Sequence, residues 1–193
     1  MNHTLSLDSS ELHVLQAKVD VLFEIDKKDY ITGGTVTRRP SVRGIIVRDG
    51  RLAMVHSLKY DYYKFPGGGI EPDETHEQAL IREVREETGL RVLPESIRAF
   101  GMVRRLQRGW NEDLFLQENY YYFCEVSDLT AAQMLDDYEA EERFTLEFVT
   151  AAHARDVNLT HPHPDQKPDS QLPVVIEREN RVLGMLQKQR SLL

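Results

Sequence analysis

The chain has 193 residues, of which 40% are hydrophobic and 29% are charged, and its formal net charge at pH 7 is −8. This composition is typical of one globular domain with a full core and excludes a disordered chain. An acidic chain lacks the basic patches that non-specific binding to nucleic acid or to anionic membranes requires, so we expect neither partner.

The single cysteine, Cys124, excludes an internal disulfide. The first residues, MNHTLSLDSSELH, have no basic segment followed by an apolar core, which argues against a signal peptide. No stretch approaches the roughly 18 consecutive apolar residues of a membrane helix. We therefore expect a cytoplasmic protein.

The first part of the chain gives a weak signal, and a strand hairpin follows it. Residues 1–37 hold apolar clusters too short to separate helix from strand, and we interpret them as an N-terminal extension packing on the core. The run SVRGIIVRDGRLAMVHS has two β-rich halves around Asp49-Gly50, which predicts a hairpin. The next run, KYDYYKFPGGGIEPDE, predicts the end of a strand entering a glycine-rich loop.

A helix is predicted after this loop. Thr75 followed by Gln78 fits a capping box, and Gly89 is suited to end the helix in a left-handed conformation. An apolar side is formed by Ala79, Leu80 and Val84.

The second half of the chain alternates strands and helices. Residues 98–106 and 114–126 read as strands, and LEFVTAAHARDV as a short strand running into a short helix. Residues 161–173 form a loop with four of the eight prolines, and an amphipathic helix at about 174–189 follows. We predict an α/β domain over residues 38–193, with a mixed sheet between helices on both faces.

Three glutamates share one face of the first predicted helix. Glu83, Glu86 and Glu87 stand at i, i+3 and i+4, where like charges destabilise a helix by roughly 0.2–0.5 kcal/mol per pair. Either this face is simply solvated, or something positive sits on it.

The glutamates belong to a longer pattern. Residues 68–90, GGIEPDETHEQALIREVREETGL, fit G-x5-E-x7-R-E-U-x-E-E-x-G-U without a departure, where U is aliphatic. The fixed positions are Gly68, Glu74, Arg82, Glu83, Val84, Glu86, Glu87, Gly89 and Leu90. This is the Nudix box, and over roughly residues 38–155 the chain resembles a Nudix hydrolase.

The resemblance implies a fold, a reaction and a metal. It implies a Nudix-like α/β/α sandwich that hydrolyses a nucleoside diphosphate linked to another moiety, by water attack at phosphorus. Mg²⁺ or Mn²⁺ would assist, and both are hard cations that prefer oxygen ligands. By resemblance Glu83 and Glu87 are direct metal ligands, and Glu86 either is a ligand or holds a metal-bound water. The carbonyl of Gly67 is expected to complete the shell.

Catalytic roles are also carried over from the family. Glu83 and Glu86 belong to the catalytic set, and Arg82, at i, i+4 from Glu86, would orient a carboxylate. The general base is a box glutamate in some members and an outside residue in others. Glu147 is the first outside candidate and Glu142 the second, and a solvated surface glutamate is the alternative for both.

Four residues are candidates for substrate binding, each with an alternative. Arg43 either meets a phosphate or forms a surface salt bridge, because it precedes the first strand of the hairpin. Tyr63 and Phe65 either line the pocket beside the glycine loop or pack in the core. Trp110, in QRGWNED, either stacks on a nucleobase or covers the core edge.

The box does not choose the substrate. A nucleoside triphosphate or a related pyrophosphate is the default, and the alternative is a non-catalytic nucleotide-binding sensor. Such sensors often lose box glutamates, and this chain keeps all of them. Family members are often homodimers, so a homodimer is a further expectation.

Overall fold

The computed structural model describes residues 19–161 and 171–189. The strands of this part are β1 (Val21–Asp26), β2 (Val36–Ile45), β3 (Val47–Arg48), β4 (Arg51–Ser57), β5 (Tyr62–Lys64), β6 (Leu90–Val92), β7 (Arg98–Gln107), β8 (Leu114–Phe123), β9 (Val126–Thr130) and β10 (Phe144–Val149). The helices are α1 (His76–Thr88), α2 (Asp137–Glu142), α3 (Ala151–Thr160) and α4 (Leu172–Lys188).

The strands form two main sheets. The first sheet has the order β1-β7-β8-β2, and it is mixed because β1 pairs with β7 and β2 with β8 in parallel, whereas β7 and β8 are antiparallel. The second sheet has the order β10-β4-β3, with β5 also on β4, and is antiparallel. A third, two-stranded pairing joins β6 to β9.

Helices cover the sheets on both sides, and each side has its own core. Against α3 and α4, strand residues such as Ile45 and Met54 pack with Val182 and Leu183. Against α1, the neighbouring residues Ile46 and Ala53 pack with the apolar side of the helix. Alternate residues of β4 thus serve opposite cores, as a sheet covered on both faces requires. The predicted α/β/α sandwich is confirmed.

The predicted hairpin turn and the predicted ends of the first helix are present in the structure. Asp49 and Gly50 both have positive φ, 52° and 70°, as the tight hairpin turn between β3 and β4 requires. Thr75 and Gln78 form the reciprocal capping box of α1, and Gly89 ends the helix with φ of 75°. Local backbone preferences therefore fix both ends of α1.

Other elements depart from the sequence-based expectation. The short helix α2 was not predicted, and α4 begins at Leu172, slightly before the expected start. Residues 21–26, within the predicted N-terminal extension, form an edge strand of the first sheet. Parallel pairing with the distant β7 has no local sequence signature. No helix in residues 19–161 or 171–189 has the length and apolarity needed to cross a membrane.

Candidate active site

The glycine loop is fixed to the edge of the first sheet. The backbone N–H of Val42 donates to the carbonyl of Gly68 at 2.9 Å, and that of Gly44 to the carbonyl of Pro66 at 2.8 Å. Since β2 also packs against α1, these bonds place the loop beside the acidic face of that helix. The loop is therefore held next to the helix by hydrogen bonds to β2.

Two of the loop glycines are required by close contacts. Gly67 has φ of 136°, and a Cβ there would overlap the carbonyl oxygen of Val42. A Cβ on Gly68 would overlap the carboxylate of Glu83. The absence of side chains lets the Glu83 carboxylate lie directly against the loop backbone.

We expect Gly67→Ala to lower the free energy of unfolding by about 2–4 kcal/mol, because the new methyl group meets backbone in a strained conformation. Gly69→Ala is the matched control, since its Cβ would meet nothing closer than Arg39 Nε at 3.9 Å. Urea denaturation of both variants measures the difference. Equal midpoints would contradict this account of the loop.

Arg82 connects four groups around the start of the box. Its Nη1 lies 2.8 Å from Glu83 Oε1 and 3.1 Å from Glu86 Oε2. Its Nε and Nη2 each lie 2.8 Å from the Glu74 carboxylate, and Nη2 also donates to the carbonyl of Gly69. The hydrogen bonds from Arg82 lower the pKa of Glu74, whereas burial raises the pKa of Glu83. Arg82 thus holds the Glu86 carboxylate, as its spacing predicts.

Glu87 is the most deeply buried of the three glutamates, with 1% of its surface exposed. Lys64 Nζ lies 2.6 Å from its Oε1, and the backbone N–H of Gly67 donates to its Oε2 at 2.8 Å. Lys64 is buried as well and lies over the ring of Phe144. Arg82 and Lys64 therefore offset part of the negative charge on this helix face.

The donors at this site suit a hard divalent cation in type. Carboxylate oxygens of Glu83 and Glu86 share one cationic nitrogen, and the carbonyl of Gly67 accepts from Arg43 Nη1 close by. Within the described part of the chain, no three carboxylate, imidazole or thiolate groups are arranged closely enough to hold a metal ion. The donor chemistry fits a metal, while Arg82 and Lys64 form ion pairs with these carboxylates in this structure.

A cavity of about 930 Å³ opens beside the loop and Glu83. Its floor is the first sheet, where alternate residues of β2, β8 and β7 face the same way because their registers align. The polar floor residues are Thr37, Arg39, Ser41, Arg43, Arg105, Gln107 and Gln117. Aromatic side chains that also line the cavity are those of Tyr60, Tyr62, Trp110, Phe115, Tyr138 and Phe144.

Two of the four predicted substrate-binding residues line this cavity. Arg43 is only 8% exposed, donates to the carbonyl of Gly67, and its Nε has no hydrogen-bond partner among the described residues. The alternative of a surface salt bridge for Arg43 is therefore wrong. Trp110 lies at the rim, in the connection from β7 to β8, and is 77% exposed.

The predictions for Tyr63 and Phe65 as pocket residues are wrong. Both are buried in the core beneath α3 and α4, and neither lines the cavity. Tyr62 and Lys64, their neighbours in β5, line the cavity instead. Alternation along a strand separates these two pairs, but it does not reveal which pair faces the cavity.

Glu147 lies on the other side of the second sheet from α1. Leu146 and Phe148 pack toward α1, so the side chain of Glu147 points the opposite way. Its carboxylate lies 2.8 Å from His56 Nδ1 and accepts from Tyr63 at 2.7 Å. This position removes Glu147 from the cavity and argues against its predicted role as general base.

Four carboxylates outside the box line the cavity, Glu112, Asp136, Glu139 and Glu142, and the last two belong to α2. Glu142, the second predicted candidate, accepts hydrogen bonds from Ser57 at 3.0 Å and Tyr62 at 3.1 Å. Glu139, which sequence reasoning missed, is 5% exposed and lines the same wall. Burial, followed by the charge of Glu87, raises the pKa of Glu139. The capping-box pattern that joins Glu139 to the residue before α2 is the signal that locates this helix.

The loop at 161–173 is described only in part. His161 lies 2.6 Å from Asp61 and ends α3. In the sequence, His161, His163 and Asp165 resemble a weak metal-binding tract, for which a solvated turn is the favoured alternative. His163 and Asp165 lie outside the described residues.

The NUDIX domain family model matches residues 37–169. Over 64 residues the chain is 42% identical to the RNA pyrophosphohydrolase of Xanthomonas campestris pv. campestris (strain B100) and 41% identical to that of Stenotrophomonas maltophilia (strain K279a). Each match covers 33% of this chain and 30% of the relative. The chain therefore spans less than a third of the curated relatives that it matches.

A solved structure shows the same fold. The NUDIX hydrolase from Nitrosomonas europaea superposes with a TM-score of 0.51 at 18% identity, covering 76% of this chain and 90% of that one.

Proposed function

The chain belongs to the NUDIX family, and from this premise we propose that it hydrolyses a nucleoside diphosphate linked to another moiety, by metal-assisted water attack at phosphorus. One observation carries the proposal. The intact box has Glu83, Glu86 and Glu87 on α1 beside a glycine loop, and Glu83 and the loop line a cavity of about 930 Å³.

The box residues would hold the metal, and Arg82 would keep two of their carboxylates in place. Glu83, Glu86 and Glu87, with the carbonyl of Gly67, are the proposed ligands, and Mg²⁺ or Mn²⁺ the proposed ions. When bound, such an ion neutralises phosphate charge and lowers the pKa of an attacking water. Arg43 lines the cavity beside the loop, and its guanidinium is suited to bind a phosphate oxygen.

We assign the role of general base to Glu139. Its carboxylate is held by the backbone N–H of Asp136 at 3.0 Å and by the hydroxyl of Tyr138 at 2.9 Å, which fixes its orientation in the cavity wall. A carboxylate whose pKa is raised toward neutrality accepts a proton more effectively than a fully solvated one. Glu142 shares the wall and ranks second, because its side chain is only partly buried, whereas Glu139 is buried.

The cavity suits a nucleotide by composition. Aromatic side chains of Tyr62, Phe115 and Tyr138 offer stacking surfaces, and Trp110 stands at the rim. The names of the relatives add a 5′-triphosphorylated RNA end to the nucleoside triphosphates as substrates to test. A homodimer and a cytoplasmic location stay predictions.

A non-catalytic nucleotide sensor is the second candidate. The buried Lys64–Glu87 ion pair favours it, because this pair neutralises a box glutamate without any metal. A sensor would bind the same nucleotides without cleaving them.

The test is hydrolysis of a substrate panel with Mg²⁺, with Mn²⁺ and with excess EDTA. The panel contains nucleoside triphosphates, ADP-ribose, NADH, dinucleoside polyphosphates, sugar nucleotides and a 5′-triphosphorylated RNA. We expect cleavage within a diphosphate that falls at least about a hundredfold in EDTA, since the metal supplies several kcal/mol of charge stabilisation. Turnover unchanged by EDTA would contradict the metal assignment, and binding without turnover would support the sensor.

A further inference from the structure

A buried guanidinium lies in the cavity floor at a distance from the box. Arg105, on β7, is 4% exposed and lines the cavity. Its register partner is Gln117 on β8, which in turn pairs with Arg39 on β2. Arg39 is four residues from Arg43, so Arg105 and Arg43 are about 13 Å apart along the strands and roughly 10 Å apart across them. Their long side chains shorten this span.

The contacts of Arg105 are neutral. Its Nε donates to Gln107 Oε1 at 2.7 Å, and its Nη2 donates to the side-chain oxygens of Gln107 and Gln171. Its guanidinium also lies over the ring of Phe115, 5.7 Å from the centroid. In the described ranges 19–161 and 171–189 it forms no ion pair with a carboxylate, although most buried charges are paired.

The neighbouring Arg178 shows the contrast. It is equally buried, but Glu179 Oε1 accepts from its Nε at 2.9 Å, and Asn119 accepts from its Nη1 at 2.7 Å. Burial, followed by the charge of Arg178, lowers the pKa of Arg105 to about 10. Arg105 therefore remains positive at neutral pH, beside a second cation and without an ion-paired carboxylate among the described residues.

We propose that Arg105, with Gln107 and Phe115, forms a second anion subsite, which binds a phosphate of the substrate that is separate from the hydrolysed diphosphate. This inference rests on the proposed function and deepens it. A nucleoside triphosphate alone has its phosphates in one contiguous chain at the box end. The subsite instead selects a substrate that carries a second phosphate away from the hydrolysed diphosphate. This second phosphate is either a phosphate monoester or the phosphodiester that joins a following nucleotide.

Binding of two matched ligands tests the subsite without depending on hydrolysis. Titration calorimetry compares adenosine 3′,5′-bisphosphate with AMP, and NADPH with NADH in the presence of Ca²⁺. We expect at least about tenfold tighter binding of the ligand with the extra phosphate in one pair or both, because a charge-assisted hydrogen bond is formed. The Arg105→Gln variant should bind both members of a pair within about twofold.

Turnover distinguishes the two sources of the second phosphate. Preference for NADPH over NADH indicates a phosphate monoester, and preference for a 5′-triphosphorylated dinucleotide over the nucleoside triphosphate indicates a phosphodiester. Each preference should disappear in Arg105→Gln. Absence of hydrolysis with the binding preference intact would refute the proposed function and leave the subsite standing.

Two further variants control for folding. Arg104→Gln changes the adjacent residue on the opposite face of β7, where Arg104 pairs with Glu24, and should behave as wild type. Arg105→Lys keeps the charge and should keep part of the preference. Thermal unfolding of all variants verifies the fold. Equal binding of both members in every pair by the wild-type protein, or a preference that survives Arg105→Gln, would overturn the subsite.

Discussion

Glu87→Gln is expected to lower hydrolysis of the diphosphate by about a hundredfold or more, because it removes the charge of a proposed metal ligand in the box. The substitution keeps the shape of the side chain and its contact with the N–H of Gly67. The loss is therefore expected in kcat at saturating Mg²⁺, measured on the best substrate of the panel.

The same substitution also affects stability. Lys64 lies 2.6 Å from Glu87, and both are almost fully buried, so a glutamine in place of Glu87 would leave a buried ammonium without its carboxylate. Breaking such a pair from one side costs roughly 3–5 kcal/mol of the free energy of unfolding. A measurement of activity alone would therefore not distinguish a catalytic loss from a folding defect.

The double variant Lys64→Met/Glu87→Gln separates these two effects. Removing both charges is expected to recover most of the stability, since an apolar residue replaces the buried ammonium beside Phe144. It should not recover hydrolysis. If the double variant regained wild-type turnover, Glu87 would be a structural partner of Lys64 and not a metal ligand.

Glu139→Gln is expected to lower kcat by about 10²–10⁴-fold, with KM changed by only a few fold, because general-base catalysis contributes on this scale. Glutamine is accepted at this capping-box position and can still accept the hydrogen bond from Asp136. Helix α2 should therefore form in the variant, as circular dichroism and thermal unfolding would show.

Three readouts separate catalysis by Glu139 from a structural role. The acidic limb of the kcat–pH profile should disappear with the base. Glu142→Gln tests the other carboxylate of the wall, and Glu147→Gln, on the far side of the sheet, should leave kcat within about twofold. If Glu142→Gln loses more activity than Glu139→Gln, the base assignment passes to Glu142. A large loss in Glu147→Gln would contradict the separation of that residue from the cavity.

The position of Glu147 shows what strand periodicity can predict and what it cannot. Its alternation with Leu146 and Phe148 correctly places it on the opposite face of β10. The sequence does not state that α1 covers the apolar side. The same ambiguity produced the wrong assignment at β5, where Tyr63 is a core residue and Tyr62 and Lys64 face the cavity.

The sequence by itself determined the features that depend on near neighbours. The limits of α1, its capping box, the turn at Asp49-Gly50 and the contact of Arg82 with Glu86 all arise within a few residues, so the residue types suffice to predict them. The intact box likewise identifies the family, because its glycines and glutamates occupy fixed positions along one loop and one helix.

Only the tertiary structure decided which distant residues meet. The pairing of Lys64 with Glu87, the position of Glu139 in the cavity wall and the hydrogen bond of Arg105 to Gln171 join residues that are far apart in the chain. Such contacts depend on the order and register of the strands and on the side that each helix covers. Periodicity carries no information on these choices, because it gives the faces of an element but not its neighbours.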